Sequence, residues 1–449
     1  MNSYVERVIE EVKEKYKNQK EFVQTVEEVL SSVSPVLDKH PEYEKAGILE
    51  RMVEPERMFS FRVVWTDDEG KPHTNVGYRC QFNGAIGPYK GGLRFQKNVN
   101  ESIMKFLAFE QTYKNALTGL PIGGGKGGSD FDPAGKSEAE IMRFCQSYMT
   151  ALYRYIGPDQ DVPAGDMGVG GREIGYLFGQ YRRLRGDYKN GVLTGKGLSY
   201  GGSLIRPEAT GYGAIYYLNQ VLSQQGDTIR GKSIAVTGFG NVAWGVMKKA
   251  SQLGAKVIYM SGPNCYVKDP EGISTKEKLD FVLELRRRNE IDLKPYADKF
   301  GCEYHAGEKF WGVKDVDVYM PCATQNEVGL EEAKKIVDSG VRYYIEVSNM
   351  PTTNEAMNYL RQHGIIVAPS KAVNAGGVGV SALEMSQNSE RLVWTEEEVE
   401  ERLRSMMVNI YRVSLAAAQE YGLGYDLVAG ANIAGFEKVA RAMYEQGIF

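Results

Sequence analysis

The sequence SIAVTGFGNVA occupies residues 233–243 and indicates the fold class of the second half of the chain. Its first four residues form a short apolar run typical of a buried strand. The spacing G-x-G-x-x-A follows at Gly238, Gly240 and Ala243, and a second apolar run occupies residues 256–260 after an amphipathic segment. A strand, a glycine-rich turn, a helix and a second strand within about thirty residues predict a βαβ unit.

The glycine-rich turn has the chemistry of a phosphate site. Gly238 allows the tight turn, and Gly240 lets backbone N–H groups approach a pyrophosphate closely. The N-terminus of the following helix adds partial positive charge. We therefore expect a dinucleotide to bind at this turn. The candidate binding residues are Gly238, Gly240, Asn241 and Val242.

Later apolar runs fit the same parallel sheet, at residues 316–320, 343–347 and 365–368. The first two end in the polar loops CATQNEV and SNMPTTNEA. Ligands of a doubly wound sheet bind beyond the carboxyl ends of its strands. Ordinary capping of helices by threonine and asparagine explains such loops equally well. The candidate coenzyme contacts in these loops are Ala323, Thr324 and Asn349.

Length and composition limit the class of protein. A chain of 449 residues is too long for one ordinary core, so we expect two domains. The net charge of −4 and the lack of a long basic block argue against nucleic-acid binding. No apolar run approaches the ~18 residues of a membrane helix, and the charged, amphipathic start does not resemble a secretory signal. We therefore predict a cytoplasmic protein with no membrane or nucleic-acid partner.

Cysteine and histidine are too scattered for a metal site or a disulfide framework. The five cysteines never form C-x-x-C, and the four histidines lie far apart in the sequence. We predict a reducing compartment and no metal. Glycine is the unusual residue type, since 51 of 449 residues is about 11%, against a usual ~7%. The excess is concentrated in a few loops, which favours ligand binding.

Five glycines surround Lys126 in LPIGGGKGGSD, residues 120–130. Glycine permits positive φ and close approach, although it loses more conformational entropy on folding than any other residue. We expect a loop that holds the lysine at the bottom of a tight pocket. A second glycine-rich loop, VPAGDMGVGGRE, surrounds Asp166. Such a lysine and carboxylate are candidates for an acid–base pair, and two surface loops with charged tips are the alternative.

The N-terminal part of the chain shows periodic patterns that predict two amphipathic helices, a β-hairpin and a third helix. Apolar residues alternate over residues 59–65 and again over 76–82. The hairpin leads into a second glycine-lined lysine loop around Lys90, and residues 102–117 form the third helix. Lys114 lies near the end of that helix, where an ordinary surface lysine is the alternative to a functional one.

A change of pattern near residue 200 predicts the domain boundary. Residues 194–210 are rich in glycine, serine and threonine and indicate a hinge. We expect an α/β fold of two domains. The first is an N-terminal α/β domain of residues 1–200, completed by about 425–449. The second is a Rossmann-like, doubly wound dinucleotide-binding domain of residues 201–424.

Six motifs together resemble a known family. In chain order they are IGPYKGGLRF, LPIGGGKGGSDFDP, VPAGDMGVGGREIG, GGSLIRPEATGYG, GFGNVA and KAVNAGGV. Their order and their spread over nearly the whole chain resemble the hexameric glutamate dehydrogenases of the small bacterial type, in the amino-acid dehydrogenase superfamily. The resemblance implies a homohexamer that converts L-glutamate reversibly to 2-oxoglutarate and ammonium with a nicotinamide coenzyme. It also implies that the first domain binds substrate and forms the subunit contacts.

The resemblance implies roles for single residues of the first domain. Lys126 resembles the catalytic lysine that polarises the carbonyl and activates water, and Asp166 resembles the general acid/base that exchanges protons with the substrate nitrogen. Lys90, assisted by Ser381, resembles the lysine that holds the side-chain carboxylate. The residues that match the α-carboxylate site are Gln111 and Lys114.

Further matches lie nearer the coenzyme. Thr194, Arg206 and Thr210 fall in motifs that line the cleft between the domains of the family. We assign Arg206 to the substrate site and Thr210 to the coenzyme site. Asn374 matches a contact to the nicotinamide carboxamide.

The choice between NAD and NADP stays open. A carboxylate often follows the second strand of an NAD-binding βαβ unit, but here residues 261–264 read SGPN. No arginine is present there to bind a 2′-phosphate, and Lys268 is the nearest cation in the sequence. Gly262 resembles NAD-using relatives and favours NAD slightly.

The substrate site also has a physical basis. A doubly charged 2-oxo acid needs separated cations, which Lys90, Lys114 and Lys126 supply. Packing three ammonium groups together should lower the pKa of at least one from its ordinary ~10.4, through like-charge repulsion and desolvation, and we hypothesise that this group is Lys126. Lysine at position 90 favours glutamate, because a buried unpaired ammonium disfavours an apolar side chain. A dehydrogenase of a neutral amino acid and a catalytically silent nucleotide-binding protein are the alternatives.

Overall fold

The computed structural model describes residues 1–288 and 290–448 and divides the chain into two units. The first unit consists of Met1–Leu204, Val378–Val399 and Ala416–Phe449, and the second of Ile205–Gly377 and Glu400–Leu415. These bounds differ from the predicted division, which put residues 201–424 into one domain. Amphipathic periodicity shows that a helix is buried on one face but does not show which unit it packs on. The predicted first domain ends at Phe449, which lies outside the described residues.

The helices occur mainly where apolar residues recur at helical spacing, as in the first helix, whose buried face includes Val5, Val8 and Val12. In chain order they are α1 (Ser3–Lys15), α2 (Lys20–Lys39), α3 (Pro41–Lys45), α4 (Ile48–Met52), α5 (Glu101–Leu117), α6 (Glu138–Leu152), α7 (Gly171–Arg185), α8 (Ala209–Gln224), α9 (Asn241–Gln252), α10 (Lys276–Arg287), α11 (Lys294–Phe300), α12 (Leu330–Asp338), α13 (Asn354–Gln362), α14 (Ser370–Val373), α15 (Ala375–Glu390), α16 (Glu396–Glu420) and α17 (Leu427–Glu445). Short 3₁₀ turns occupy Tyr153–Tyr155, Asn190–Val192 and Leu198–Tyr200.

The strands form one sheet in each unit. In chain order they are β1 (Arg57–Thr66), β2 (Pro72–Asn83), β3 (Tyr89–Phe95), β4 (Gly123–Ser129), β5 (Asp161–Gly165), β6 (Ser233–Thr237), β7 (Lys256–Ser261), β8 (Cys265–Lys268), β9 (Glu303–Ala306), β10 (Val318–Met320), β11 (Tyr343–Ile345) and β12 (Ile366–Ala368). The sheet of the first unit has the order β1-β2-β4-β3-β5. The antiparallel pair β1–β2 confirms the predicted hairpin, and β4, β3 and β5 run parallel.

The glycine-rich segments around Lys90 and Lys126 are strands, so the prediction of two loops was wrong. They form β3 and β4, and the glycines are needed for close packing rather than for positive φ. A Cβ on Gly91 would lie 1.6 Å from the carbonyl oxygen of Gly125, and one on Gly124 would lie 2.0 Å from the hydroxyl oxygen of Thr112 on α5. Glycine therefore lets two strands and a helix approach more closely than side chains permit.

The C-terminal helix is part of the core of the first unit. Phe436 on α17 is fully buried, and a Cβ on Gly435 would lie 3.0 Å from the carbonyl oxygen of Tyr113 on α5. The Nζ of Lys438 donates to the carbonyl of Ala116, at the end of α5. Residues far apart in the sequence thus pack on one another.

The sheet of the second unit has the order β12-β11-β10-β6-β7-β8-β9. The strands from β12 to β7 are parallel, which confirms the doubly wound fold and the predicted strands. The antiparallel strands β8 and β9, at one end of the sheet, were not predicted from the sequence. They are four residues each, and β9 is half exposed, so neither forms an apolar run that periodicity would detect.

Candidate functional site

A lysine and a carboxylate meet at the parallel strands of the first unit. The Nζ of Lys126, on β4, lies 3.0 Å from Oδ2 of Asp166, which follows the last residue of β5. Lys126 is buried, with 5% of its surface exposed. The two residues that sequence analysis proposed as an acid–base pair are therefore in direct contact.

The strands bring these two residues together because one residue between them lacks a side chain. β3 lies between β4 and β5, and Gly92 of β3 pairs with Ala164 of β5. A Cβ on Gly92 would lie 2.8 Å from Cβ of Asp166 and 2.7 Å from the carbonyl oxygen of Gly165. Glycine at this position therefore leaves room for the Lys126 and Asp166 side chains to meet across the middle strand.

A second cation binds the same carboxylate oxygen. The Nε of Arg94 donates to Oδ2 of Asp166 over 2.9 Å. Sequence analysis did not identify Arg94, although it stands in the motif IGPYKGGLRF. A signal was available: Arg94 lies four residues after Lys90 on one strand, so both side chains leave the same face of the sheet.

The charges around Asp166 decide its protonation. Burial alone would raise the pKa of this carboxyl, but the positive charges of Lys126 and Arg94 and their hydrogen bonds outweigh burial and lower the pKa to about 2. The carboxylate is therefore ionised at neutral pH. An ionised carboxylate accepts protons, and it stabilises a positively charged nitrogen bound beside it.

The pKa of the Lys126 ammonium is lowered from its ordinary value, in the direction that the sequence analysis hypothesised. Burial is the largest cause, and the positive charge of Arg94 adds to it, against the opposing effect of Asp166. The sequence hypothesis attributed the shift to desolvation and to repulsion among the lysines. Desolvation is confirmed as the largest cause, whereas the cationic neighbours that lower the pKa are arginines, Arg94 and Arg79. A lowered pKa makes the neutral amine of a lysine more accessible, as a proton-transfer role requires.

Lys90 lies fully buried on β3. Its Nζ donates to the carbonyl of Val162 on β5 at 3.0 Å and to Oγ1 of Thr194 at 2.7 Å. Thr194, also fully buried, is thus a direct partner of Lys90. A buried ammonium beside a hydroxyl can bind a carboxylate.

The segment after Thr194 is fixed by a buried ion pair. The Nζ of Lys196 lies 2.6 Å from Oε1 of Glu384 on α15, and the same carboxylate accepts the N–H of Gly195 at 2.9 Å. Ser381, also predicted in the site, is buried on α15 three residues before Glu384. The ion pair therefore orders the backbone beside Thr194.

Gln111 and Lys114 are half-buried on α5, one turn apart and so on one face of the helix. The Nε2 of Gln111 donates to Oδ1 of Asn115. A Cβ added to Gly91 would lie 3.4 Å from Cγ of Gln111. Gln111 is therefore next to the strand that carries Lys90. Asn115 binds the carbonyls of Lys90 and Gly123 and so joins α5 to β3 and β4.

The predicted phosphate turn has the expected geometry in the second unit. β6 ends at Thr237, Gly238 follows with φ of 77°, and Gly240 is the N-cap of α9. Asn241 and Val242 are the first residues of this helix, so their N–H groups lie among the unpaired donors at its N-terminus. A pyrophosphate fits such a site.

The loop after β10 lies against this turn. Ala323 lies close to Gly238: a Cβ added to Gly238 would be 3.1 Å from the Cβ of Ala323. The half-buried carboxylate of Glu327 accepts hydrogen bonds from the hydroxyl of Thr237 and from the N–H groups of Ala323 and Thr324. Glu327 therefore joins the ends of β6 and β10, and sequence analysis missed it because its partner Thr237 is distant in the chain.

Asn374 has an amide oxygen that is available to a ligand. Its Nδ2 donates to Oδ1 of Asn349 at 2.9 Å, so the two predicted asparagines are in contact. Its own Oδ1 is buried and accepts no hydrogen bond from the described part of the chain. The NH₂ of a carboxamide would satisfy this acceptor. The residues present therefore fit a nicotinamide coenzyme.

Arg206 and Thr210 lie beside the start of α15. A Cβ on Gly377 would lie 2.5 Å from Oγ1 of Thr210 and 3.8 Å from Nη1 of Arg206. Thr210 is the second residue of α8. Both predicted residues are therefore placed in the second unit, close to each other.

The cation nearest to residues 261–264 is not the one that the sequence suggests. The Nζ of Lys268 is 2.8 Å from Oδ2 of Asp315. The Nζ of Lys309 instead donates to the carbonyl of Gly262 at 3.0 Å. Lys309 follows β9, far along the chain, so sequence distance pointed to the wrong lysine.

Two kinds of site are absent over residues 1–288 and 290–448. No group of three or more histidine, cysteine, aspartate or glutamate side chains could hold a metal ion. None of the helices described there is long and apolar enough to cross a membrane.

Comparison with known proteins gives concordant matches. A family described as glutamate/leucine/phenylalanine/valine dehydrogenase matches residues 201–447, and the dimerisation domain of Glu/Leu/Phe/Val dehydrogenases matches residues 55–183. The chain is 64% identical over 449 residues to the NAD-specific glutamate dehydrogenase of Clostridium symbiosum, with 100% of both chains covered. It is 50% identical to the NADP-specific glutamate dehydrogenase of Psychrobacter sp. (strain TAD1), over 99% of each chain. A solved glutamate dehydrogenase structure superposes with a TM-score of 0.98 at 64% identity and 100% coverage of both chains.

Proposed function

The chain belongs to the glutamate, leucine, phenylalanine and valine dehydrogenase family, and from this membership we infer its reaction and the work of its residues. It is an NAD(P)-dependent glutamate dehydrogenase that catalyses the reversible oxidative deamination of L-glutamate to 2-oxoglutarate and ammonium. The observation that carries the assignment of residues is the contact of Lys126 with Asp166 at 3.0 Å, on the same sheet as the buried Lys90.

We propose that cations of the first unit hold the two carboxylates of glutamate. Lys90 binds the side-chain carboxylate, with Thr194 as its hydrogen-bonding neighbour and Ser381 as a further donor. The other carboxylate lies at the half-buried face of α5, where Lys114 and Gln111 bind it. Charge-assisted hydrogen bonds from separated cations fix both ends of the substrate and so orient the reacting carbon.

The second unit holds the coenzyme in this proposal. The turn from Gly238 to Val242 binds the pyrophosphate, the loop of Ala323 and Thr324 lies beside it, and Thr210 contributes a hydroxyl. The unpaired Oδ1 of Asn374 accepts the carboxamide of the nicotinamide, with Asn349 orienting the asparagine. The nicotinamide, when bound, supplies hydride transfer with the α-carbon of the substrate.

Asp166 and Lys126 carry the proton transfers. Asp166 accepts a proton from the substrate ammonium, so that the nitrogen lone pair forms the C=N bond as hydride leaves the α-carbon. Lys126, as the neutral amine, takes a proton from the water that adds to this carbon. Asp166 returns its proton to the nitrogen and takes the proton of the new hydroxyl as the C–N bond breaks and the C=O bond forms. That second proton passes to the departing ammonia, so ammonium leaves with 2-oxoglutarate, and Lys126 releases its proton to solvent. In the reverse direction the Lys126 ammonium polarises the carbonyl.

Steady-state assays with glutamate and each coenzyme test this function. We expect turnover with both coenzymes and a higher kcat/KM with NAD, because residues 261–264 include no arginine that could bind a 2′-phosphate and the relative at 64% identity is NAD-specific. A higher kcat/KM with NADP would reverse the preference. Absence of turnover with both coenzymes would leave the silent nucleotide-binding protein as the better reading, and faster turnover of leucine than of glutamate would favour a neutral amino acid.

Lys90→Leu is expected to lower kcat/KM for glutamate by about 10²–10⁴-fold, because a charged carboxylate would enter an apolar site without its counter-ion. The loss should fall mainly on KM, and kcat/KM for an apolar amino acid such as norleucine should rise. Steady-state kinetics with both substrates measure this. Lys97→Met, at a side chain that is 84% exposed, is the matched control. An unchanged preference for glutamate would mean that Lys90 does not bind the substrate.

The expectations of a homohexamer and of a cytoplasmic location rest on the sequence and its resemblance to the family. We propose that the first unit provides the subunit contacts, since the family's dimerisation domain matches residues 55–183. Sedimentation of the purified protein gives its mass, and a mass other than six chains would overturn the proposed hexamer.

A further inference from the structure

One oxygen of the Asp166 carboxylate has two partners. Both the Nζ of Lys126 and the Nε of Arg94 contact Oδ2, at 3.0 and 2.9 Å. Oδ1 accepts no hydrogen bond from the described residues. The carboxylate is therefore held from one side, and its other oxygen is free to bind a ligand.

Lys126 and Arg94, the two partners of Oδ2, differ in whether the reaction requires them to move. In the proposed function, Lys126 must leave Asp166 to contact the substrate carbonyl or the attacking water, so its contact with Oδ2 is not constant through the reaction. Arg94 has no such second task in that reaction. Its guanidinium is always charged, and its Nε–H points in a fixed direction from a planar group. Arg94 is the partner that can stay in place.

The backbone on both sides of this contact is fixed. A tight turn follows Asp166: its carbonyl accepts the N–H of Val169, and Gly168 has φ of 74°. This turn packs on β3 next to Arg94, because the N–H of Phe95 donates to the carbonyl of Met167 at 2.9 Å and a Cβ on Gly168 would lie 2.1 Å from the Phe95 carbonyl. Both ends of the Arg94–Asp166 contact are therefore anchored to one sheet.

We propose that Arg94 is a positioning residue for the reaction: it binds Oδ2 of Asp166 throughout turnover and so keeps Oδ1 directed to the substrate nitrogen. The proposal rests on the proposed function of Asp166. It adds a third residue to the pair of Asp166 and Lys126. Arg94 touches neither the substrate nor the coenzyme, but it sets the orientation and the charge environment of Asp166.

Arg94 also acts on Lys126 through its charge. Other ionisable groups on the neighbouring elements include Lys90 on β3, Lys114 on α5 and Arg79 on β2, which forms a fully buried ion pair with Asp161 on β5. The positive charge of Arg94 lowers the pKa of Lys126 and that of Asp166. Removing this charge should therefore raise both pKa values.

The test compares Arg94→Met and Arg94→Lys with the wild-type enzyme in glutamate oxidation. For Arg94→Met we expect kcat to fall about 10–100-fold while KM for glutamate changes less than about threefold. The acidic limb of the kcat/KM profile should move to higher pH, because Lys126 must lose its proton and its pKa is now higher. Arg94→Lys keeps the charge, so the limb should stay near its wild-type position, with kcat partly restored.

Arg143→Met is the matched control, since Arg143 forms an ion pair with Asp68 on the exposed side of the same unit. Its kcat and pH profile should equal those of the wild type. A wild-type pH profile in Arg94→Met would overturn the proposal. The proposal would also fail if Arg94→Lys lost as much activity as Arg94→Met while the acidic limb of its pH profile stayed at the wild-type position. Failure of the proposed function itself would look different, because the wild-type enzyme would then not oxidise glutamate.

Discussion

Asp166→Asn is expected to lower kcat for glutamate oxidation by about 10³–10⁴-fold, because the amide cannot accept the proton of the substrate nitrogen. KM for glutamate should change little, since the proposed substrate cations are other residues. The acidic limb of the pH profile of the residual activity should lie at lower pH. The negative charge of Asp166 raises the pKa of Lys126, and the variant lacks this charge. Stopped-flow and steady-state rates across pH measure both effects.

Asp68→Asn is the control for this variant, since Asp68 forms an exposed ion pair with Arg143. It should keep wild-type rates. Thermal denaturation should show that Asp166→Asn remains folded at the assay temperature, although two buried cations then lack their counter-charge. A kcat within tenfold of the wild type would remove Asp166 from the proton transfers.

Lys126→Met should lower kcat by about 10²–10³-fold or more, since the variant has neither the charge that polarises the carbonyl nor the amine that deprotonates water. The ionisation on the acidic limb of the kcat/KM profile belongs to Lys126 in our proposal and should disappear. Asp166 stays bound to Arg94 in this variant, so the carboxylate should remain in place. Lys97→Met serves again as the control.

An acidic limb that persists unchanged in Lys126→Met would assign that ionisation to another group. The pair of variants is informative because the expected pH effects differ in kind. Asp166→Asn moves the limb to lower pH, and Lys126→Met abolishes it. A general loss of structure would produce neither pattern.

Much of the fold follows from local patterns. The G-x-G-x-x-A turn between two apolar runs predicts β6, α9 and β7, and alternation predicts the β1–β2 hairpin. The antiparallel strands β8 and β9 have only four residues each, too few to show a clear alternation. Local sequence predicts loops for the glycine-rich strands, because glycine often marks positions of unusual φ. Gly91 and Gly124 instead permit close packing, which depends on residues distant in the chain.

The site was predicted to a similar extent. Lys126, Asp166 and Lys90 stand out because glycines surround them, and the structure puts the first two in contact. The even spacing of Lys90 and Arg94 on one strand places Arg94 on the same face as Lys90, but its partner Asp166 lies 72 residues away, so the local sequence does not predict their pairing. The same reason explains why Lys268 was considered at residues 261–264 and Lys309 was not. Pairings across a sheet are properties of the fold.

The packing of α17 on α5 has a consequence for the order in which the protein is made. The ribosome releases the chain from its N-terminus, at roughly 5–20 residues per second, and domains generally fold as they emerge. The first unit, however, includes Ala416–Phe449, so its core stays uncovered on one side until α17 has been translated. While the second unit is synthesised, the face of α5 that α17 later covers therefore remains exposed and can bind chaperones. The half of the enzyme that is translated first is completed last.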